Sequence, residues 1–335
     1  MRKKVIGLAP STMHSALSFL TALLLVLSFP AEAQQAGKVY RVGIVTLGFL
    51  RPEQTDAIRQ GLRELGYIES QNLVIESRFA EGKLDRLSEL VAELIRLKVD
   101  IIVSNSTEAI QIVRDSNKSM PVVMSSISDP LGSGLVASLA RPGGNITGLS
   151  LYSTELAGKR LELLKEVFPR INRAALLVLR NHAPTRLLIP EMESAARALK
   201  ITLKSVEIST PDEFDDAFGA IIRARANGLF VQNNNVFSPN AKRIAELAAK
   251  HRLPAMGAIR SFPDAGGLMS YAPDSAPMWR RSAYFVDKIL RGTKPGDLPV
   301  EQPMKFELVI NLKSAKQIGL TIPPNVLVRA DRVIR

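Results

Sequence analysis

The chain has 335 residues, of which 46% are hydrophobic and 23% charged, and a formal net charge of +12. Domains typically have about 100 to 200 residues, so this length and composition predict two globular domains and exclude a disordered tail, a fibre and a polytopic membrane protein. The absence of cysteine excludes disulfide frameworks, Cys-ligated zinc, iron–sulfur clusters and the lipid-modified cysteine of a lipoprotein.

The first 33 residues have the pattern of a secretory signal peptide. Basic residues occupy positions 2–4, residues 15–29 form an apolar stretch, and residues 31–33 read Ala-Glu-Ala, an A-x-A cleavage signal. The apolar stretch is shorter than the about 20 residues that a spanning helix needs. We therefore expect cleavage after Ala33, a mature chain that does not span the membrane, and a periplasmic location.

Short apolar, β-branched runs alternate with amphipathic runs from Arg41 onward. Predicted helices cover residues 52–65 and 84–97, and predicted strands cover residues 41–46, 72–79, 100–104, 121–125 and 145–150. Near-continuous apolar strands that alternate with helices predict a parallel sheet covered on both faces.

The same alternation restarts after Ser150. Predicted helices cover residues 155–168, 184–199, 211–224, 238–251 and 276–291, and predicted strands cover residues 173–179, 202–207, 228–232, 254–258 and 266–271. Residues 293–303 are rich in Pro and Gly, which predicts a chain crossing between lobes. The predicted fold class is therefore α/β, with two doubly wound parallel-sheet lobes and a cleft between them.

The positive charge does not favour nucleic-acid binding. Lys and Arg alternate with acidic residues, as in residues 159–166, instead of forming a basic block. This pattern is typical of the solvated faces of helices, and we expect no nucleic-acid partner.

Polar residues follow several of the predicted strands. Hydroxyl groups at residues 104–107 either only cap the next helix or also bind a ligand anion. Asp129 either contacts a ligand ammonium group or caps a helix that begins at Leu131. Asn181 and Asn234 follow second-lobe strands and offer amide donors and acceptors, although Asn is also an ordinary turn residue.

Catalytic and cofactor motifs fit the sequence poorly. Outside the predicted signal peptide the histidines are His182 and His251, and the sequence has no H-E-x-x-H, G-x-S-x-G or Walker motif. Residues 132–137 match G-x-G-x-x-A, but they follow the fourth predicted strand, whereas the dinucleotide fingerprint follows the first. We therefore expect no enzyme, no cofactor and no metal, and any ATP hydrolysis would belong to a partner.

Five stretches carry a family resemblance. They read DAIRQGLRELGY (56–67), SDP running into GLVASLARPGGNITG (128–148), GKRLELLK (158–165), FELVINLK (306–313) and GLTIPP (319–324). They resemble the TrpX-like ABC transporter substrate-binding proteins over nearly all of residues 38–334. The resemblance implies the type 1 periplasmic-binding fold, in which two lobes are joined by three crossings, here near Ser150, Pro273 and Pro303.

The resemblance also implies lobe bounds and pocket positions. The first lobe would comprise residues 38–149 plus 274–302, and the second residues 150–273 plus 303–335. The family's pocket positions fall on Thr46, the loop of Ser104, Ser106 and Thr107, and Asp129 in the first lobe, and on Asn181 and Asn234 in the second. Many relatives carry Asp-Pro in this last loop, which here reads Asn-Asn-Asn at residues 233–235 and weakens the expectation of an amino-acid ligand.

The residues predict a solute receptor, and the resemblance implies that it serves an ABC importer with an inner-membrane permease as partner. Ser104, Ser106 and Thr107 would hold an anionic group and Asp129 an ammonium group, and hinge closure would add Asn181 and Asn234. Candidates to pack an apolar ligand body are the aromatic residues Phe49, Tyr152, Phe237 and Tyr271. Two alternatives are a ligand-sensing receptor for a membrane signalling partner and an exported α/β enzyme using Asp129, His182 and Asn234.

Overall fold

The first of two sheets is formed by the amino-terminal part of the chain. The computed structural model describes residues 38–151, 156–234, 236–303 and 305–335. Within these ranges five parallel strands form the first sheet in the order β2-β1-β3-β4-β5. The strands are β1 (Tyr40–Thr46), β2 (Leu73–Phe79), β3 (Ile101–Ser104), β4 (Val122–Ile127) and β5 (Ile146–Ser150).

The second sheet has seven strands in the described ranges, in the order β12-β11-β10-β9-β8-β6-β7. Among the described strands of this sheet, only the pair β10 and β11 is antiparallel. The strands are β6 (Arg173–Leu179), β7 (Thr202–Ile208), β8 (Gly228–Val231), β9 (Ala255–Gly257), β10 (Met269–Ala272), β11 (Glu307–Asn311) and β12 (Arg332–Ile334).

Helices cover both faces of each sheet. They are α1 (Pro52–Glu64), α2 (Leu87–Arg96), α3 (Thr107–Ser116), α4 (Ala157–Val167), α5 (Ala183–Ala198), α6 (Phe214–Arg223), α7 (Ala241–Lys250), α8 (Ser275–Leu290), α9 (Leu312–Gln317) and α10 (Pro324–Leu327). Alternate residues of β1 belong to different cores: Val42 and Ile44 lie in one apolar cluster and Val45 in the other. This burial on both sides explains the continuous apolar strands of the sequence.

Local signals account for where α1 begins and ends. Pro52 is its first residue, and Gln54 accepts a hydrogen bond from the backbone N–H of Arg51 at 2.9 Å. After the helix, Gly66 adopts a positive φ of 89° and Tyr67 N–H donates to the carbonyl of Leu62. Glycine permits this left-handed residue at the end of a helix, as the sequence predicted.

The chain passes between the sheets three times in the described ranges. It leaves the first sheet after β5 and enters the second with α4, which packs on α5 and β9. It returns after β10, because α8 packs on α1 and β4, and it joins the second sheet again with β11. We keep the lobe bounds of residues 38–149 plus 274–302 and 150–273 plus 303–335 as a proposal.

Two segments differ from the predicted elements. No helix begins at Leu131, since residues 130–134 form a turn. The strand expected at residues 266–271 is β10 at Met269–Ala272, because positive φ at Gly266 keeps the start of the segment irregular.

The described helices include none with both the length and the apolar character needed to cross a bilayer. The predicted signal peptide at residues 1–33 lies outside the described residues, as does Tyr152.

Candidate functional site

A cavity of about 100 Å³ lies at the carboxyl ends of strands from both sheets. Asn105 and Thr107 reach its wall from the segment after β3, and Asn233 and Asn234 reach it from the segment after β8. Doubly wound α/β folds bind ligands at this end of their strands. The cavity is therefore the candidate ligand-binding site, and both sheets contribute to it.

Two of the predicted binding residues, Thr107 and Asn234, line this cavity. Both are nearly buried, with 3% and 6% of their surface exposed. The Asn234 side-chain oxygen accepts hydrogen bonds from the backbone N–H groups of Val236 and Phe237 at 2.9 and 2.7 Å. Asn234 thus holds the loop after β8 in shape as well as lining the wall.

Ser104 and Ser106 are buried beside the cavity and are not part of its described lining. The Ser104 hydroxyl accepts from the backbone N–H of Ser106 at 3.1 Å. The Ser106 hydroxyl accepts from the backbone N–H of Ala109 at 3.2 Å and donates to Glu108 at 3.0 Å. Ser106 therefore caps α3, a role that both interpretations of these hydroxyl groups include.

Thr46, Asp129 and Asn181 are also outside the described lining of the cavity. The buried Thr46 hydroxyl donates to the carbonyl of Gly48. Asp129 accepts from the backbone N–H of Gly132 at 2.8 Å and stabilises the turn that replaces the expected helix. Asn181 is exposed and has a positive φ of 56°, a conformation that Asn tolerates in turns.

The rings of the described aromatic candidates pack against other side chains of the fold. The Tyr271 ring packs 5.8 Å from that of Phe306, and the Phe237 ring lies in the second-sheet core. Phe49 is 59% exposed and packs against Phe79. None of Phe49, Phe237 and Tyr271 belongs to the described lining of the cavity.

Arg160 lines the cavity and was not predicted from the sequence. It is only 1% exposed, and its Nε donates to the carbonyl of Tyr271 at 2.7 Å. Burial lowers its pKa to about 10. The basic run at residues 159–166 looked like a solvated face, yet Arg160 follows the buried Ala157 by three residues and precedes the buried Leu164 by four. This helical spacing puts Arg160 on the buried face of α4, and it was the sequence pattern from which its burial could have been predicted.

Glu108 and His182 join elements of the two sheets at the cavity. Glu108 lies in α3, next to the first sheet, and His182 precedes α5, next to the second. Glu108 Oε1 is 2.5 Å from His182 Nδ1, and the two side chains are 14% and 8% exposed. An ionised carboxylate can only accept, so Nδ1 donates.

The environment of Glu108 keeps its carboxylate ionised. Burial alone would raise the pKa of Glu108, but the hydrogen bond and charge of His182, with help from Ser106, outweigh burial and hold the pKa below its ordinary value. A contact between residues so distant along the chain leaves no local signal in the sequence.

Other charged residues on the wall are paired with carboxylates. Arg51 Nη1 lies 3.1 Å from Glu53 Oε1. Arg260 Nε lies 2.8 Å from Glu307 Oε2. Within the described ranges no group of three or more His, Asp or Glu residues is arranged to hold a metal ion. Besides these ion pairs, the wall presents the polar side chains of Asn, Ser and Thr residues and the guanidinium group of Arg160 to a small molecule.

Several proteins with a known ligand or a solved structure are similar to this chain. A tyrosine-binding protein of Clostridioides difficile (strain R20291) is 23% identical over 261 residues, which cover 78% of this chain and 75% of that protein. The ABC domain in complex with L-Trp from Streptococcus pneumoniae is 25% identical with a TM-score of 0.82, covering 89% of this chain and 100% of that chain. A conserved domain protein from Vibrio cholerae is 27% identical with a TM-score of 0.83, covering 88% and 100%.

These similarities confirm the predicted α/β fold of the type 1 periplasmic-binding class. The tyrosine-binding protein and the domain that holds L-Trp are solute-binding proteins and not enzymes, in agreement with the prediction made for this chain. A family model described as ABC transporter substrate binding protein matches residues 50–334. The chain therefore belongs to the family of ABC transporter substrate-binding proteins.

Proposed function

We propose that the protein is the exported receptor of an ABC importer and captures a small polar or amino-acid-like solute. The observation that carries this proposal is the cavity whose wall is built from loops of both sheets. A ligand in such a cavity contacts both sheets only when they are close together. Family membership supports delivery of the solute to a membrane permease.

Ligands of the relatives indicate the size and chemistry of the solute. One relative is named for tyrosine binding, and a similar solved domain holds L-Trp. Both ligands carry a carboxylate, for which the buried Arg160 is a suitable partner in this chain. We propose a solute with a carboxylate group.

We propose that closure of the two lobes traps the solute. Thr107 and Asn105 approach it from the first sheet, and Asn233 and Asn234 approach it from the second. The contact between Glu108 and His182 can form only when α3 and the start of α5 are adjacent, so it stabilises the closed arrangement. A ligand shifts the equilibrium only as far as its affinities for the open and closed forms differ.

A thermal-shift and calorimetric screen of the mature chain tests the proposal. We expect the protein in the periplasmic fraction to start at Gln34. One class of small solute should raise the melting temperature, because saturation at 100 times the dissociation constant adds about 2.7 kcal/mol to stability. Amino acids, organic acids and sugars form the panel. Absence of binding across the panel, with no small molecule retained in native mass spectrometry, would contradict a receptor function.

Affinity should depend on the charge of Glu108. Its pKa in the closed arrangement lies below the ordinary value of 4.5, so its contribution to closure is complete above about pH 4.5 and is lost as the pH falls through the lower value. We expect the solute found in the screen to lose more affinity between about pH 5.5 and about pH 3.5 in the native chain than in Glu108→Gln.

Calorimetric titration at the two pH values measures this difference, and protonation of the solute itself affects both proteins equally. Glu193→Gln, which removes an exposed carboxylate from α5, is the matched control and should behave like the native chain. Equal pH dependence of the native chain and Glu108→Gln would remove Glu108 from the closure mechanism.

A further inference from the structure

We infer that the solute is a small organic carboxylate without an ammonium group, and that its anionic group binds Arg160. This inference rests on the proposed function, because it names the chemical class that the cavity of the receptor selects. It depends on the position of Arg160 and on the charges of the cavity wall.

Arg160 brings a positive charge to the wall from inside the protein. Its side chain is 1% exposed, and it lines both the main cavity and a smaller cavity next to Gln232 and Asn233. The hydrogen bond from its Nε to the carbonyl of Tyr271 orients the guanidinium plane. With a pKa of about 10, the group remains charged at neutral pH. A desolvated guanidinium is stabilised by an anion, and its planar donors match a carboxylate.

The other ionisable side chains of the described wall are Arg51, Arg260 and His182. No Asp or Glu lines the cavity among the residues that the structure describes. These groups pair with the carboxylates of Glu53, Glu108, Asp274 and Glu307, none of which belongs to the described lining. A bound molecule therefore meets nitrogen donors and positive charge first.

An ammonium group has no carboxylate to contact in the described wall. Asp129, which the sequence suggested for this role, accepts from Gly132 and stands outside the cavity lining. The loop after β8 supplies the neutral amides of Asn233 and Asn234. A desolvated ammonium would lack an opposite charge and would be repelled by Arg160, so the cavity favours an anion over a zwitterion.

Uncharged residues of the wall limit the body of the solute. Asn105, Ser126 and Ser128 present amide and hydroxyl groups, whereas Leu151 and Ile259 present small apolar surfaces. Aromatic side chains are absent from the lining within the described ranges. A compact carboxylate with an additional hydroxyl or carbonyl oxygen fits this mixture of surfaces.

Pairs of ligands that differ only in the ammonium group test the inference. The native mature chain is titrated with three pairs, each a carboxylate and the amino acid with the same carbon skeleton. The pairs are succinate and L-aspartate, 4-methylpentanoate and L-leucine, and 3-(4-hydroxyphenyl)propionate and L-tyrosine. Glucose serves as a neutral probe. We expect the deaminated member of at least one pair to bind more than 10-fold tighter than its amino acid. An amino acid that binds as tightly as its deaminated partner, or binding of glucose alone, would overturn the inference and leave the receptor function intact. Absence of binding by every probe would overturn the inference and, together with the wider screen, the receptor function.

Variants on α4 separate the role of Arg160 from a general effect of charge. Arg160→Met should weaken binding of the carboxylate by more than 100-fold, and Arg160→Lys should weaken it by about 10-fold because lysine keeps the charge but not the planar donors. Lys159→Met is the matched control, since it removes a positive charge from the exposed neighbouring position, and it should leave affinity within 2-fold. Circular dichroism verifies that each variant folds. If Arg160→Met does not fold, the titrations of the native chain with the ligand pairs still test the inference. Native affinity in a folded Arg160→Met would overturn the assignment.

Discussion

His182→Ala should weaken binding of the solute by about 100-fold or more. The variant leaves the Glu108 carboxylate buried without its ring partner whenever the lobes close, and loss of one partner of a buried charged pair costs about 3 to 5 kcal/mol. Since about 1.4 kcal/mol corresponds to a tenfold change in affinity, this cost predicts at least two orders of magnitude. Isothermal titration with the solute from the screen measures it.

A double-mutant cycle separates this effect from direct contact between His182 and the ligand. Combining His182→Ala with Glu108→Ala also removes the buried carboxylate, so the double variant should lose less affinity than His182→Ala alone. His251→Ala is the matched control, because His251 packs on Phe218 away from the cavity and should not affect affinity. Unchanged affinity in His182→Ala would show that the contact does not contribute to closure.

Gly148→Ala should lower the free energy of unfolding by about 4 kcal/mol, the largest effect on stability that we expect. Gly148 lies in β5 with a φ of 128°, and an added Cβ would lie 2.2 Å from the carbonyl oxygen of Met124. That oxygen belongs to the backbone of β4, where the pairing with β5 is irregular, and it cannot move without separating the strands. Both the backbone strain at this φ and the steric overlap of the added methyl group destabilise the folded state.

Gly66→Ala is the matched control for strain without overlap. Gly66 has a φ of 89°, and nothing lies within 4 Å of an added Cβ. A left-handed alanine costs about 1 to 2 kcal/mol, so this variant should be clearly more stable than Gly148→Ala. Urea unfolding compares the two variants. Equal losses would show that β4 moves to accommodate the methyl group.

Much of the fold was predictable because its elements have local signals. The continuous apolar run of β1 indicated a strand buried on both faces, and Gly66 marked the end of α1. The turn at residues 130–134 was not predicted as such, because Asp129 is equally suited to cap a helix or a turn. The hydrogen bond that the Asp129 carboxylate accepts from Gly132 belongs to a turn, and it forms only because of the path that the backbone takes here.

The sequence by itself determined the class of the protein: two α/β halves, strand-end loops with polar residues, and motifs resembling a family of solute receptors. Only the tertiary structure decided which polar residues reach the cavity. Thr107 and Asn234 line it, whereas Ser106 and Asp129 satisfy nearby backbone groups. Side-chain direction and contacts between distant segments depend on how the helices pack on the sheets, and local sequence patterns do not record that packing.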